Sequence, residues 1–201
     1  MFNIPNMITI LRIVLVPTYI WAMYGQFAYA NQLAWLFFAI AALTDLLDGY
    51  IARKYGQVTN LGKVLDPVAD KIMVAAAMIA LVSLQRLEGW IVILMLFRDF
   101  SVGALRDITA QQGTIIAAGI WGKLKTFLQV VALAFLIFYD SIVLWPLSFL
   151  GIYRGDSVAL TSGYVILPVF EMGMVLMYIA LAASILSGII YFKQYYKMIV
   201  K

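Results

Sequence analysis

The 201-residue chain has no cysteine and no histidine. Without cysteine it can form neither a disulfide nor a thiolate metal site. Without histidine it has neither the commonest general base of enzymes nor the commonest protein ligand of transition metals. A metal site in this chain would therefore have to be built from oxygen ligands, which suit hard cations such as magnesium or manganese.

Charged residues are also scarce, at 12% of the chain against 65% for hydrophobic residues. A soluble domain usually has about a quarter charged residues. The net charge is +4, but the basic residues form no continuous tract. We therefore expect no nucleic-acid partner and instead an attraction to membrane lipids with anionic headgroups. The composition predicts a membrane protein with a single domain, residues 1–201.

Six segments are long and apolar enough to cross a bilayer as helices, which takes about 20 residues each. We predict an all-α integral membrane protein with six transmembrane helices, at residues 7–25, 33–53, 66–86, 88–108, 123–146 and 169–192. The first segment has no small-residue cleavage site, so we expect it to be a retained span and not a signal peptide.

The distribution of lysine and arginine predicts the orientation, because these residues are enriched on the cytoplasmic side of membrane proteins. If the N-terminus lies inside, only Arg86 and Arg154 of the 14 basic residues fall on the outer side. With six spans, the C-terminus returns to the inner side. We therefore expect both termini to be cytoplasmic.

Four aspartates lie near the predicted cytoplasmic ends of the second and third helices: Asp45, Asp48, Asp66 and Asp70. Within each pair the spacing is three or four residues, which puts both carboxylates on one face of a helix. Four ionised carboxylates beside a membrane repel one another, and divalent cations relieve that repulsion. Two cations held by such carboxylates suit phosphoryl transfer. We therefore predict a two-metal site.

Any one of these acids has an ordinary structural explanation. Asp66 followed by Pro67, for example, would make a good start for a helix. The complete pattern is much harder to explain in that way, because eight specified residues stand at fixed spacing over residues 45–70.

That pattern reads D-x-x-D-G-x-x-A-R-x8-G-x-x-x-D-x-x-x-D. It resembles the signature of the CDP-alcohol phosphotransferase family, which are membrane enzymes with six helices. The resemblance implies an enzyme that joins a CDP-linked donor to an alcohol acceptor and releases CMP. It also implies that the four aspartates bind two divalent cations, Mg²⁺ or Mn²⁺, and that Asp70 is the catalytic base.

The same resemblance implies a site for the donor's cytidine diphosphate. The N-terminal stretch NIPNMITILR is also similar to the family, and two of its residues would stand near the donor. The donor-binding residues would be Asn6, Thr9, Asp48, Gly49, Ala52, Arg53 and Gly62.

A second group of charges lies in residues 98–126, where the fourth and fifth helices approach the cytoplasm. A cationic cluster beside a metal site suits an acceptor that carries a phosphate group. The stretch resembles the branch of the family that uses CDP-diacylglycerol as donor and sn-glycerol-3-phosphate as acceptor, although Asp99 stands where that branch usually has glutamate. The residues expected to bind the acceptor phosphate are Arg98, Arg106, Lys123 and Lys125. The family resemblance implies a homodimer, and the branch suits a bacterial plasma membrane. The distribution of lysine and arginine predicts that the active site faces the cytoplasm.

Other interpretations remain open. The four cations could be positive-inside anchors, and the acceptor could be phosphatidylglycerol, inositol or its phosphate, or serine. A divalent-cation transporter also carries acids in its membrane helices, but it would be expected to show repeats or helices broken at the midplane. A lipid-binding scaffold with a dead site is disfavoured because the pattern lacks none of its aspartates.

Overall fold

The computed structural model describes residues 4–27, 29–55, 60–111, 119–138 and 169–199. At residues 4–6, 46–55, 60–64, 66, 67, 107, 110, 111 and 194–199 the description covers the backbone alone. The described residues form helices and no strand, which confirms the all-α prediction. The helices are α1 (Ile4–Met23), α2 (Ala30–Tyr55), α3 (Asn60–Ser83), α4 (Gly89–Gln111), α5 (Ile120–Phe138) and α6 (Val169–Ile199).

The helices extend beyond the predicted spans mainly at the ends expected to be cytoplasmic. α2 continues to Tyr55 and α6 to Ile199, while α3 begins at Asn60. The prediction that the third helix begins at Asp66 is therefore wrong, since more than one helical turn precedes that residue. The predicted end of the fifth span, residues 139–146, lies outside the described residues.

The helices pack around small side chains. α1 contacts α2 and α3, α5 contacts α6, α2 and α3, and α4 contacts α3 and α6. Small residues at such contacts let helix backbones approach closely, which is how helices commonly associate in a membrane. Alanines with no exposed surface lie along these contacts: Ala22, Ala34, Ala41, Ala77, Ala132 and Ala180.

Tyr19 fixes α1 against its two neighbours. Its ring meets the ring of Phe38 in α2 edge-on, with the centroids 5.7 Å apart. Its hydroxyl donates a 2.6 Å hydrogen bond to the carbonyl oxygen of Met73 in α3. Met73 is one turn from Asp70, and Tyr19 is two turns from Arg12. This contact therefore helps to set the distance between the two charged side chains.

Large apolar side chains are exposed on all six of these helices, for example Val14, Leu43, Ile79, Ile93, Phe127 and Ile189. Within the described parts of the chain, two helices are long and apolar enough to cross a membrane, Ile120–Phe138 and Val169–Lys193, and Met7–Met23 is a shorter apolar helix. α4 carries Arg98, Asp99 and Arg106 in its middle and second half, which lowers its hydropathy. All-helical structure is thus confirmed, whereas the number of spans and the side on which the termini lie stay predictions.

Candidate active site

α1, α2 and α3 bring one arginine together with two of the predicted metal-binding aspartates. Arg12 Nη1 lies 3.0 Å from Asp45 Oδ1 and also donates a hydrogen bond to Asp70 Oδ1. The side chain of Arg12 is completely buried, whereas those of Asp45 and Asp70 are 39% and 46% exposed. The two carboxylates therefore share one guanidinium nitrogen on their buried side and remain accessible on the other.

This pair of carboxylates fits the predicted metal site. Carboxylate oxygens from α2 and α3 both contact one nitrogen of the Arg12 guanidinium, so the space between the two carboxylates already accommodates a positive charge. Asp48 and Asp66, the other two predicted ligands, lie outside the described side chains. Among the side chains that are described, no group of three or more potential metal ligands occurs. The complete site of four aspartates therefore stays a prediction.

Of the residues predicted to bind the donor, only Thr9 has a described side chain. It is 1% exposed and stands one turn before Arg12 on α1, so both residues lie on the face that meets α2 and α3. The other predicted donor residues lie outside the described side chains: Asn6, Asp48, Gly49, Ala52, Arg53 and Gly62.

The predicted acceptor residues include an ion-paired group between α4 and α5. Lys125 Nζ donates hydrogen bonds of 2.7 and 2.6 Å to the two carboxylate oxygens of Asp99. Arg98 Nη1 lies 3.1 Å from one of the same oxygens. The side chain of Lys125 is 4% exposed, and an ammonium buried to this degree needs a counter-ion. Asp99 supplies that counter-ion and neutralises part of the positive charge of the cluster.

α6 provides neutral partners for the two arginines. Arg98 Nη2 donates a hydrogen bond to Ser187 Oγ, and Arg106 Nη2 donates one of 2.7 Å to Tyr191 Oη. α6 thus restrains both arginines through neutral hydrogen-bond acceptors, and these contacts do not neutralise the positive charge of either guanidinium.

The carboxylates and the cations meet at one cavity of about 320 Å³ between α2, α3, α4 and α5. Its charged lining residues are Asp45, Asp70, Lys71, Arg98, Asp99, Arg106 and Lys125. A second cavity of about 530 Å³ shares Asp45, Arg98 and Arg106 with the first and adds Lys123. The structure therefore brings the described aspartates and all four predicted acceptor cations to adjoining cavities.

Five side chains of this site were not identified as site residues from the sequence: Arg12, Lys71, Asp99, Ser187 and Tyr191. Arg12 did carry a signal, because an ionisable residue inside an apolar segment usually has a specific partner or function. Ser187 and Tyr191 carried none, since their contacts depend on how α6 packs against α4.

Comparison with known families settles the class of protein. A family model described as CDP-alcohol phosphatidyltransferase matches residues 2–186. The chain belongs to this family. The matched segment contains every residue of the aspartate pattern and all four predicted acceptor cations. It ends immediately before Ser187.

The chain is also similar to bacterial proteins named CDP-diacylglycerol–glycerol-3-phosphate 3-phosphatidyltransferase. It is 37% identical to that of Bacillus subtilis (strain 168) over 179 residues, which cover 82% of this chain and 93% of the relative. It is 38% identical to that of Rickettsia felis over 167 residues, covering 77% and 92% of the two chains. For Salmonella paratyphi A the identity is 40% over 147 residues, covering 70% and 80%.

Proposed function

We propose that this protein transfers the phosphatidyl group from CDP-diacylglycerol to sn-glycerol-3-phosphate, giving phosphatidylglycerophosphate and CMP. Family membership and the names of the relatives support the reaction class. The observation that carries the choice of acceptor is the cavity in which Asp45 and Asp70 face Arg98 and Arg106. A cation cluster beside the reacting centre is what an acceptor with its own phosphate requires.

Asp45, Asp48, Asp66 and Asp70 would hold two divalent cations, Mg²⁺ or Mn²⁺. When bound, such ions neutralise the donor pyrophosphate and the charge that develops during phosphoryl transfer. The donor's cytidine diphosphate would be held by the pattern residues and by α1, through Asn6, Thr9, Asp48, Gly49, Ala52, Arg53 and Gly62.

Asp70 acts as the general base in this proposal. Its carboxylate takes the proton from the acceptor hydroxyl, whose oxygen attacks the phosphorus that bears diacylglycerol. A new bond forms between that oxygen and phosphorus, the bond from phosphorus to CMP breaks, and CMP leaves with the electron pair. Arg12 donates a hydrogen bond to the Asp70 carboxylate and so holds it in one orientation.

The acceptor phosphate binds to Arg98, Arg106, Lys123 and Lys125. The two arginines present planar groups that match phosphate oxygens in pairs. Lys123 is exposed and approaches from the second cavity. Lys125 contributes while it remains bound to Asp99, which limits how far the ammonium can move.

We place all six helices across a bacterial plasma membrane, with both termini and the active site on the cytoplasmic side, and two copies forming a homodimer. The exposed apolar side chains on every helix support embedding in lipid, and α5 and α6 are long enough to span it. The donor can then keep its acyl chains in the bilayer while its headgroup reaches the aspartates.

The test is CMP release by the purified protein with CDP-diacylglycerol, Mg²⁺ or Mn²⁺, and one acceptor at a time. We expect release with sn-glycerol-3-phosphate and not with inositol, inositol phosphate, serine or phosphatidylglycerol. Asp70→Asn should lower kcat by about 100-fold or more, because it removes the general base. Glu171→Gln, an exposed acid in the first turn of α6, is the matched control and should retain activity. Release with a different acceptor only, or with none, would contradict the proposal.

A further inference from the structure

α6 contributes two side chains that contact the arginines lining the cavity. Ser187 and Tyr191 are four residues apart, so they lie on one face of α6. Ser187 Oγ accepts a hydrogen bond from Arg98, and Tyr191 Oη accepts one from Arg106 at 2.7 Å. Both residues lie beyond the segment that the family model matches, which ends at residue 186.

Tyr191 holds more than one group in place. Its phenol oxygen also accepts a 2.9 Å hydrogen bond from the backbone N–H of Gly119, directly before α5. Cζ of Arg106 lies 5.1 Å from the centre of its ring, within the range of a cation–π contact. Tyr191 is 5% exposed, so these contacts are sheltered from water. One side chain of α6 therefore connects α4 to the beginning of α5.

Ser187 and the next residue, Gly188, both restrain the side chain of Arg98. The Cα of Gly188 approaches the aliphatic part of Arg98 so closely that a Cβ there would lie 3.3 Å from Cγ. The side chain of Arg98 is 14% exposed. Its described polar contacts are with Asp99 and Ser187, and it lines the cavity. Its orientation toward the cavity thus depends on α6.

Orientation matters because an unrestrained arginine loses much side-chain freedom when it binds a ligand. A guanidinium that is already held in its binding geometry avoids most of that cost. Neutral hydrogen-bond acceptors are suited to this task, since they restrain an arginine without cancelling the charge that a phosphate needs.

We propose that Ser187 and Tyr191 are positioning residues that hold Arg98 and Arg106 in the geometry that binds the acceptor phosphate. The inference rests on the proposed function, and it adds a specific consequence: α6 sets the affinity for the phosphorylated acceptor. It has no corresponding effect on the lipid donor, whose predicted residues lie on α1, α2 and α3.

The experiment measures KM and kcat for each substrate in Tyr191→Phe and Ser187→Ala, using CMP release. Tyr191→Phe keeps the ring and removes the hydroxyl. We expect it to raise KM for sn-glycerol-3-phosphate by about 10-fold, as for the loss of a hydrogen bond to a charged group. Ser187→Ala should raise the same constant by about 5-fold. KM for CDP-diacylglycerol should stay within about twofold, because the donor residues keep their contacts.

Two variants on the same helix serve as matched controls. Tyr178→Phe alters an exposed tyrosine whose ring lies 6.3 Å from that of Trp90, far along the helix from the cluster. Ser184→Ala alters a fully buried serine one turn before Ser187, whose Oγ has no hydrogen-bond partner among the described residues. Both should keep the acceptor KM of the unaltered protein.

The outcomes separate this inference from the proposed function. If the unaltered protein releases no CMP with sn-glycerol-3-phosphate, both are overturned. If it is active, but both variants match their controls, the positioning role alone is overturned. A parallel rise of both KM values would also overturn that role, since general disturbance of the fold would explain it. Should Tyr191→Phe fail to fold, the acceptor KM of Ser187→Ala decides the question.

Discussion

The buried guanidinium of Arg12 is the counter-ion of both described carboxylates of the predicted metal site, Asp45 and Asp70. A charge with no exposed surface persists only where opposite charges stand beside it. In turn, two carboxylates from different helices that approach one another need a cation between them. Arg12 therefore holds α1, α2 and α3 together at the place where the chemistry is proposed to occur.

Replacing Arg12 should reveal that role in the absence of metal. With EDTA present, Arg12→Gln should lower the melting temperature of the purified protein by about 5 °C, because the ion pairs to Asp45 and Asp70 are lost. Added Mg²⁺ should recover part of the loss, since a bound cation relieves the same repulsion. Arg86→Gln, in the turn after α3, is the comparison and should not respond to Mg²⁺ in this way. Equal melting of Arg12→Gln and the unaltered protein in EDTA would contradict the assignment.

The residues of the site were predictable to the extent that they form a local pattern. The aspartates and the four cations stand at spacings that can be read along the chain. Their partners could not be read in this way, because the contacts join distant positions: Arg12 and Asp70 are 58 residues apart, and Arg98 and Ser187 are 89 apart. The sequence contains those residues but does not indicate which of them meet.

At the scale of helices, the contact between α5 and α6 depends on Gly173. A Cβ at this position would lie 3.1 Å from atoms of both Leu136 and Phe135. That distance is short for carbon atoms in contact, so α6 can lie this close to α5 because residue 173 has no side chain. α5 and α6, the two described helices that are long and apolar enough to cross a membrane, are thus also closely packed against one another.

Gly173→Val should force these helices apart. Overfilling a packed interface costs about 1–3 kcal/mol, so we expect thermal unfolding in detergent at a lower temperature than for the unaltered protein. Gly89→Ala is the control, because its added Cβ would meet only one side-chain atom, 3.8 Å away in Val82. If Gly173→Val unfolds no earlier than Gly89→Ala, the close approach does not contribute to stability.

The apolar segments of the sequence predicted which parts of the chain form helices. They did not predict the residues at which each helix begins and ends. Hydropathy falls where polar residues begin, yet a helix can continue past them. α6 does so to Ile199, past the polar stretch that starts at Lys193. At α3, Pro67 suggested a beginning because proline favours the first turn. The first turns of α3, from Asn60, contain glycine and lysine. A hydropathy profile therefore does not show that these turns are helical.

In the molecule as a whole, the two halves of the chain bring charged side chains to the same cavity. α2 and α3 contribute Asp45, Asp70 and Lys71, whereas α4 and α5 contribute Arg98, Asp99, Arg106 and Lys125. Contacts of α2 with α5 and of α3 with α4 and α5 close the cavity. The aspartate pattern and the cationic stretch could each be predicted from one half, but their meeting is a property of the folded chain.

The proposed orientation can be tested because the chain has no cysteine of its own. Gln26→Cys puts a thiol in the exposed turn after α1, on the proposed outer side. Ile120→Cys puts one at the beginning of α5, where the side chain is 81% exposed, on the proposed inner side. A membrane-impermeant maleimide should label only the first in intact spheroplasts, and both after permeabilisation. The unaltered chain gives the background. Labelling of Ile120→Cys in intact spheroplasts would contradict cytoplasmic termini.

The guanidinium between Asp45 and Asp70 also has a consequence for how this enzyme is made. In the proposed membrane enzyme, a newly synthesised copy would carry its own neutralising group into the bilayer, so it could reach its final shape before a divalent cation binds. Under the proposed two-metal mechanism, scarcity of the ion would then slow lipid production through idle enzyme, while the number of intact molecules in the cell stayed the same.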